Sequence, residues 1–353
     1  MPIYKNEERK TWYAKFYYTD SFGNKKQKKK EGFKTKKEAQ EWERSFLDKA
    51  KTNPEITFKS LVENYMNDCK VRLKPTSYEN KEYLINSKLL PYFGEMKISD
   101  IDILTVRKWQ NDIISHSNEY KPTYQKSIHN QLSAILNYAV KYYKLSLNSA
   151  RVCGSIGKKN ADTMLFWTID EFNKFILSTE GDILNKTVFS LLFFSGLREG
   201  ELLALTLNDF DFENDTVSVT KTLANVNGCD IIQTPKTEKS KRTISLPHKI
   251  MQMILDYSKS LYDYLPDERL FKTNKKRLIR AMDKYSKLSD VKRIRIHDLR
   301  HSYASMLINL NVSPLEIQQR LGHENVETTL NTYSHLYPNK HIDTTRLLED
   351  LII

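Results

Sequence analysis

Six polar residues in the C-terminal half of the chain have the types that phosphoryl chemistry needs. Arg198, Lys236, His297, Arg300, His323 and Tyr333 fall in four short stretches: SGLREGEL (195–202), TPKTEKSKRTISLP (234–247), HDLRHSYA (297–304) and LGHENVETTLNTYSH (321–335). Together they supply two fixed cations, a proton donor, two imidazoles and a phenol. A phosphodiester can be broken and remade with those parts, without metal or nucleotide. No single stretch carries that reading; their order and combination do.

Local context says where each group would stand. Gly196 suits the end of the apolar helix TVFSLLFFSG, so Arg198 opens the next helix, REGELLAL, near a positively polarised N-terminus. A guanidinium there can hold two phosphate oxygens in a planar fork, and Glu201, three residues on, can orient it. Taken alone, Arg198 and Glu201 read as an ordinary surface pair. Lys236 falls in a turn between the strands of a hairpin region. A hairpin can push an ammonium into a groove, where its pKa falls and it can donate a proton. Lys239 and Lys241 are neighbours able to do the same.

His297 and Arg300 are three apart on an expected helix, on one face. Leu299, Tyr303, Met306, Leu307 and Leu310 take the other, so both polar groups should point away from the core towards a cleft. His301 is read as lying off this face, in a structural role. Ser313-Pro314-Leu315-Glu316 combines an N-cap, Pro at the first helical position and a capping-box Glu. That helix should end at Gly322, with His323 in the tight turn that follows. Tyr333, one of 20 tyrosines, comes ten residues later on the next helix.

Those residues need elements to position them. Thr168 with Glu171 forms a capping-box pattern that opens the last domain. There helices dominate, and the β region is TVSVTKT (216–222), an Asn227-Gly228 turn and RTISLP (242–247). From Thr57 to about Leu147 apolar residues recur at spacings of three and four, as in Ile128, Leu132, Ile135, Leu136 and Ala139, which predicts a bundle of four or five helices. Its breaks are expected at Pro75, Pro91–Gly94 and Pro122. Upstream, TWYAKFYY (11–18) and KKQKKKEGF (25–33) read as strands joined by a turn at Ser21-Phe22-Gly23-Asn24. Thr35 and Glu38 then open a helix. Lys51–Pro54 and Val152–Thr163 read as linkers. The expected class is mainly α with small β-sheets (α+β), beginning with a three-stranded sheet plus a helix.

The chain has 353 residues, 56 basic against 44 acidic, for a net charge of +12. Residues 1–54 hold 15 Lys/Arg and 8 Asp/Glu, so +7 of that excess lies in the first sixth. That balance favours a polyanionic partner. Period 2 places Tyr13, Lys15 and Tyr17 on one strand face. With Lys25, Lys26, Lys28, Lys29 and Lys30 they make a basic, aromatic surface of the kind that lies in a DNA groove. Trp12, Phe16 and Phe33 read instead as the core of a small domain. Cys69, Cys153 and Cys229 are odd in number and far apart, so neither a disulfide framework nor a structural zinc site is expected. With no membrane span and no signal-peptide pattern, the setting is expected to be reducing and cytoplasmic.

In this order, SGLREGELLAL, TPKTEKSKRTISLP, HDLRHSYAS and LGHENVETTLNTYSHL resemble the catalytic boxes of the tyrosine recombinase (phage integrase) family. The resemblance covers about residues 163–340. The upstream segments also look like that family's arm-binding and core-binding domains. It implies an arm-type DNA-binding domain at 1–54, a helical core-binding domain at 55–150, a catalytic domain at 163–345 and a tail at 346–353. It also implies that Tyr333 attacks the scissile phosphate, giving a 3′-phosphotyrosyl link and a 5′-hydroxyl. Arg198 and Arg300 would clamp the non-bridging oxygens. Lys236 would protonate the departing oxygen, His297 would take the tyrosine proton or share acid–base work, and His323 would hydrogen-bond the phosphate. Glu201 matches the supporting acidic position.

No cofactor or metal is implied, and the covalent intermediate keeps the ester's energy, so no ATP is needed. The implied partners are double-stranded DNA at core and arm sites, a homotetramer on that DNA, a directionality factor and a host DNA-bending protein. In the final segment, HIDTTRLLEDLII (341–353), Leu347, Leu348, Leu351 and Ile352 share a helical side that either packs at home or docks on a neighbouring protomer. The arm-like segment favours integration and excision of a mobile element. The competing readings are a resolvase, a type IB topoisomerase-like enzyme and a catalytically silent DNA-binding regulator.

Overall fold

Alternation along the first strands builds a small sheet with two unlike faces. In this computed structural model the described residues are 3–6, 10–19, 25–51, 56–116, 119–158, 165–235 and 238–333. The chain divides into two units, Met1–Asp162 and Thr163–Ile353. Strands β1 (Ile3–Asn6), β2 (Thr11–Thr19) and β3 (Lys25–Phe33) pair antiparallel in the order β1-β2-β3, and helix α1 (Lys36–Lys51) packs on them. Ala14 and Phe16 enter a core with Ile3 and Ala39, and Trp12, Phe33, Trp42 and Phe46 pack around it. Tyr17, on the other face, is 71% exposed. The β2–β3 register shifts between Trp12 and Ala14, and Gly32 in the facing strand takes φ +90°, a value that favours glycine. Thr35 caps α1 through Glu38 N–H, but the Glu38 carboxylate accepts from Lys34 N–H, one residue earlier than a full capping box requires. The turn expected at Ser21–Asn24 lies outside the described residues.

The helical part of the first unit comprises α2 (Phe58–Arg72), α3 (Pro75–Leu84), α4 (Leu90–Phe93), α5 (Ile103–Ser115), α6 (Pro122–Tyr142) and α7 (Ser149–Cys153). Pro75 and Pro122 each stand at a helix start, where a missing N–H leaves no bond unmade. Pro91 differs from the expected break. A π-helical turn, Ile85–Leu89, joins α3 directly to α4, with Leu90 N–H bonded to Ile85 O. The wider turn makes room for a ring that would strike the carbonyl four residues back in an α-helix, so the helix runs through to Gly94. Ile128, Leu132, Ile135, Leu136 and Ala139 are all fully buried, as their spacing predicts. Val152 and Cys153 finish α7 rather than belonging to a linker.

The second unit opens with α8 (Ile169–Leu177), whose Thr168–Glu171 capping box is complete. Helix α9 (Ile183–Ser195) is the apolar centre, burying Val188, Phe189, Leu191, Leu192 and Phe193. Each such side chain contributes about 1.5–3 kcal/mol on burial. Then come α10 (Glu199–Ala204), β4 (Phe210–Asp211), β5 (Thr216–Val219), β6 (Thr222–Val226), β7 (Cys229–Gln233) and β8 (Arg242–Ser245). TVSVTKT is therefore not one strand: β5 joins the sheet β4-β5-β8, and β6 turns at Asn227-Gly228 to pair with β7. Both turn residues have positive φ, +50° and +82°, as a two-residue hairpin demands. Helices α11 (His248–Lys259), α12 (Lys275–Leu288), α13 (Asp298–Asn309), α14 (Pro314–Leu321) and α15 (Val326–Tyr333) complete the unit. A separate apolar cluster of Tyr303, Ala304, Leu307, Ile308, Ile317 and Leu321 takes in Tyr333.

Candidate active site

Two left-handed glycines organise the site. Gly196 ends α9 at φ +64° and Gly322 ends α14 at φ +66°, the helix stops that the sequence predicts. Arg300, from α13, ties the two turns together. It donates Nη1–H to Gly196 O at 2.8 Å and Nη2–H to Leu321 O at 2.6 Å. Gly196 is held closely as well, since a Cβ there would lie 2.5 Å from Tyr303 Cδ1. Arg300 was expected on an open helix face, yet only 2% of it is exposed. The two carbonyls satisfy its fork inside the protein, which lets a cation stay buried. Burial first, then the charges of Arg198 and Arg242, push it down to about 9, still cationic at neutral pH.

Arg198 is the residue before α10 and keeps its guanidinium accessible. Its Nη1–H donates to Glu201 Oε1 at 2.7 Å, and its backbone N–H donates to Glu201 Oε2 at 3.0 Å. Glu201 is no surface residue: it is 2% exposed. A second arginine meets it there, Arg242 at the start of β8, which donates Nη2–H to Glu201 Oε2 at 2.8 Å. Burial pushes the Glu201 carboxyl up, but Arg242 and then Arg198 outweigh it and leave the pKa at about 2. Arg242 also donates to the carbonyls of Arg320 and Ser240, at 2.8 and 3.0 Å. It thereby links α10, β8 and the end of α14. Sequence reasoning missed Arg242. The signal was a charged residue in register with buried Ile244 on an alternating strand.

The nucleophile side is built from histidines. Tyr333, on α15, is 1% exposed, and its hydroxyl lies 2.7 Å from His301 Nδ1. Burial raises the Tyr333 phenol to about 12, against an opposing pull from Arg300. Burial, then the neighbouring His297, lowers His301 to about 4. Both groups are therefore neutral, and the tautomer of His301 with its proton on Nε2 accepts from the phenol. His301, expected off the polar face, meets both Tyr333 and His297. His297 and His301 are four apart, which makes them neighbours on a helix, and their rings meet edge to face at 5.2 Å.

His297 stands just before α13, its surface open to solvent, and burial of the ring followed by the charge of Arg300 lowers its pKa. His323 follows Gly322, and its Nδ1 lies 2.8 Å from the hydroxyl of buried Thr329. Burial first, then Arg300, Arg198 and Arg242, bring His323 down to about 3, so it is a neutral hydrogen-bonding group. Arg198 Nη2 also lies 3.5 Å from Gly322 O, beside it. The structure thus brings Arg198, Glu201, Arg300 and His323 to the two glycine turns, with His297 and Tyr333 joined to them through His301. Lys236 lies outside the described residues, as does the tail segment 341–353. Of the alternatives to Lys236, Lys239 donates Nζ–H to Glu324 O at 3.0 Å.

On the N-terminal sheet the lysine run is divided between faces. Lys15 pairs with Lys29 and Tyr17 with Gln27 across the β2–β3 ladder, so Tyr13, Lys15, Tyr17 and Lys29 share the open face. Lys29 Nζ lies 5.1 Å from the Tyr13 ring centre and ion-pairs with Glu31. Lys28 and Lys30 fall on the helix side, their ammonium groups over Phe46 at 5.6 Å and Trp42 at 5.1 Å. The side chains of Lys25 and Lys26 lie outside the described set.

A family model described as the phage integrase family matches residues 164–340, the stretch that holds every group of this site. The chain belongs to that family. Upstream, a phage integrase N-terminal SAM-like domain matches residues 57–114 and an arm DNA-binding domain matches residues 2–50. The ICEBs1 integrase of Bacillus subtilis (strain 168) is 32% identical over 342 residues, covering 90% of this chain and 91% of the relative. A XerC-like tyrosine recombinase of Caldanaerobacter subterraneus is 28% identical over 370 residues, covering 91% of each. Among solved structures, the Tn1549 transposon integrase in complex with a circular intermediate DNA superposes with a TM-score of 0.69 at 20% identity, covering 84% of this chain and 99% of that one. A lambda integrase tetramer bound to a Holliday junction gives 0.61 at 15% identity, covering 96% and 95%. At those identities the likeness is one of fold. This integrase is a tyrosine recombinase, an enzyme of DNA strand exchange that requires neither metal nor ATP.

Proposed function

We propose that this integrase inserts and excises a mobile element, cutting double-stranded DNA through Tyr333. The observation that carries the reading is the pairing of a fixed guanidinium cradle with a buried phenol next to it. Arg198 offers an accessible fork, and Arg300 holds positive charge near it, tied to two backbone carbonyls. A phosphodiester seated there gains charge-assisted bonds that strengthen as its equatorial oxygens gain charge in the transition state. Neutral His323 donates a further hydrogen bond to a phosphate oxygen. Tyr333 attacks phosphorus, the 3′-phosphotyrosyl bond forms, and the 5′-oxygen leaves with a proton supplied by Lys236. Reversal with a different 5′-hydroxyl joins the new strand.

Domains at 1–54, 55–150 and 163–345 would divide the labour among arm sites, core sites and chemistry, with the tail 346–353 ordering protomers. The arm and SAM-like matches support the first two, and the open face of Tyr13, Lys15, Tyr17 and Lys29 supports phosphate and groove contact by the first. Related integrases are solved on DNA, one as a tetramer on a Holliday junction, which supports a tetrameric working form here. A directionality factor and a host bending protein would set the direction of exchange. Among the described residues no helix is long and apolar enough to cross a membrane.

The test is a nicked suicide duplex that carries the core sequence from the junction between the element and its chromosome. Wild type should form a covalent protein–DNA adduct, and Tyr333→Phe should bind the duplex equally well and form none. Absence of an adduct with wild type would overturn the proposal.

A further inference from the structure

We propose that His301 is a catalytic residue of this integrase, the general base that takes the Tyr333 proton. The inference rests on Tyr333 being the nucleophile, and it moves the role that the family resemblance gave to His297. Tyr333 Oη lies 2.7 Å from His301 Nδ1, the distance and pairing that proton transfer requires. The ring stands edge to face with Tyr333 at 5.7 Å and with His297 at 5.2 Å. His297 has no hydrogen bond to Tyr333 among those described, and its ring touches His301 instead. The order is therefore Tyr333, His301, His297, with the middle residue the one that touches the reacting oxygen.

The step balances without another reagent. Tyr333 Oη forms its bond to phosphorus as its proton moves to His301 Nδ1, making an imidazolium. The bond from phosphorus to the 5′-oxygen breaks, and that oxygen takes a proton from the general acid. On rejoining, the imidazolium returns its proton to the departing phenolate. Without a phosphodiester the proton stays on the phenol, because burial raises Tyr333 and lowers His301. The charged or titratable groups acting on His301 are His297, Asp298, Arg300 and Arg295 along its own segment, Tyr333 from α15 and His323 from the preceding turn. All but Asp298 and Tyr333 are cationic or can become so, and they hold His301 neutral. A phosphodiester bound at Arg198 and Arg300 brings the negative charge that offsets them, so the base gains strength only when substrate is seated.

The test compares His301→Asn, His297→Asn and wild type on two suicide duplexes, one ordinary and one with sulfur in place of the bridging 5′-oxygen. A thiolate leaves without acid help, so the sulfur duplex rescues loss of a general acid and not loss of a base. His301→Asn keeps a short acceptor near the phenol but cannot take its proton. Adduct formation should slow about 10²–10⁴-fold on both duplexes, with unchanged Tm and DNA retention. Its rate should climb with pH where wild type levels off. His297→Asn should keep the wild-type plateau. Should His301→Asn fail to fold, His301→Gln carries the same expectations. Wild-type speed in the His301 variant, rescue by the sulfur duplex, or loss of the plateau in His297→Asn each overturns the inference. These failures differ from failure of the nucleophile reading, in which wild type forms no adduct or Tyr333→Phe still forms one.

Discussion

The two halves of the catalytic site are held by opposite means. The cradle half consists of Arg300 locked to two carbonyls, and Glu201 locked between Arg198 and Arg242, all within turns that two left-handed glycines shape. The nucleophile half is held by apolar packing around Tyr333 and by neutral hydrogen bonds, between Tyr333 and His301 and between His323 and Thr329. Buried charge is costly to leave unpaired, and a neutral hydrogen bond is worth about 1 kcal/mol. The cradle is therefore part of the fold, and damage to it should cost stability and activity together. A single neutral bond of the nucleophile half should be removable with the fold intact.

The sharpest way to break that contrast is Glu201→Gln. Arg242 would lose its buried counter-charge, and the unit should lose about 3–5 kcal/mol with a large fall in Tm, alongside weakened cleavage. The acid response carries the same signature. Glu201 has a pKa of about 2 in the fold against an ordinary 4.5, so its contribution is present above pH 4.5 and is lost as pH falls towards 2. His301 and His323 act in the same direction at higher pH. Their folded values lie near 4 and 3 against 6.5, so the unfolded chain takes up protons first, and stability falls as pH drops below about 6.5. Wild type should lose Tm steadily from pH 6.5 downward, and Glu201→Gln should lack only the portion below 4.5. If thermal melts of the variant matched wild type at neutral pH, the cradle would not be part of the fold.

Gly196→Ala tests the geometry of the same half without touching a charge. An alanine at φ +64° costs about 1 kcal/mol, and its Cβ would press on Tyr303 at 2.5 Å and Leu321 at 2.8 Å, adding about 1–3 kcal/mol. The turn would shift the carbonyl that receives Arg300. A melt within 1 kcal/mol of wild type would mean the turn relaxes, and the proposed tie between the two glycines is weak.

What the sequence revealed follows the same division. Arg198, Glu201, Gly196, Gly322 and the Thr168 box announce themselves because they act over three or four residues, where helix geometry is known in advance. Arg242 reaches Glu201 across 41 positions, a pairing that no local period contains. Arg300 looked exposed because its helical face is polar, and only the fold supplies the two carbonyls that let it be buried. His301 is a different case: its spacing from His297 was readable, and the helical repeat of four places the two side by side. Pro91 shows the converse, a local breaker overruled by a π turn that tertiary packing of Ile85, Leu89 and Phe93 makes worthwhile.

The smallest expected effect on the fold belongs to Thr329→Val, which sharpens the comparison from the nucleophile side. The substitution keeps the shape of a fully buried side chain and removes the hydroxyl that meets His323 Nδ1 at 2.8 Å. Losing one neutral bond should cost about 1 kcal/mol, with little change in Tm. Cleavage should suffer more. His323 is held neutral, so only one ring nitrogen carries a proton, and a Thr329 hydroxyl that donates to Nδ1 selects the tautomer with that proton on Nε2, where it can meet a phosphate oxygen. Without Thr329 both tautomers and more than one ring angle become accessible. Single-turnover adduct formation should then fall several-fold while DNA retention is unchanged. Equal rates for Thr329→Val and wild type would show that His323 is oriented by its backbone turn alone, and the nucleophile half would prove as firmly built as the cradle.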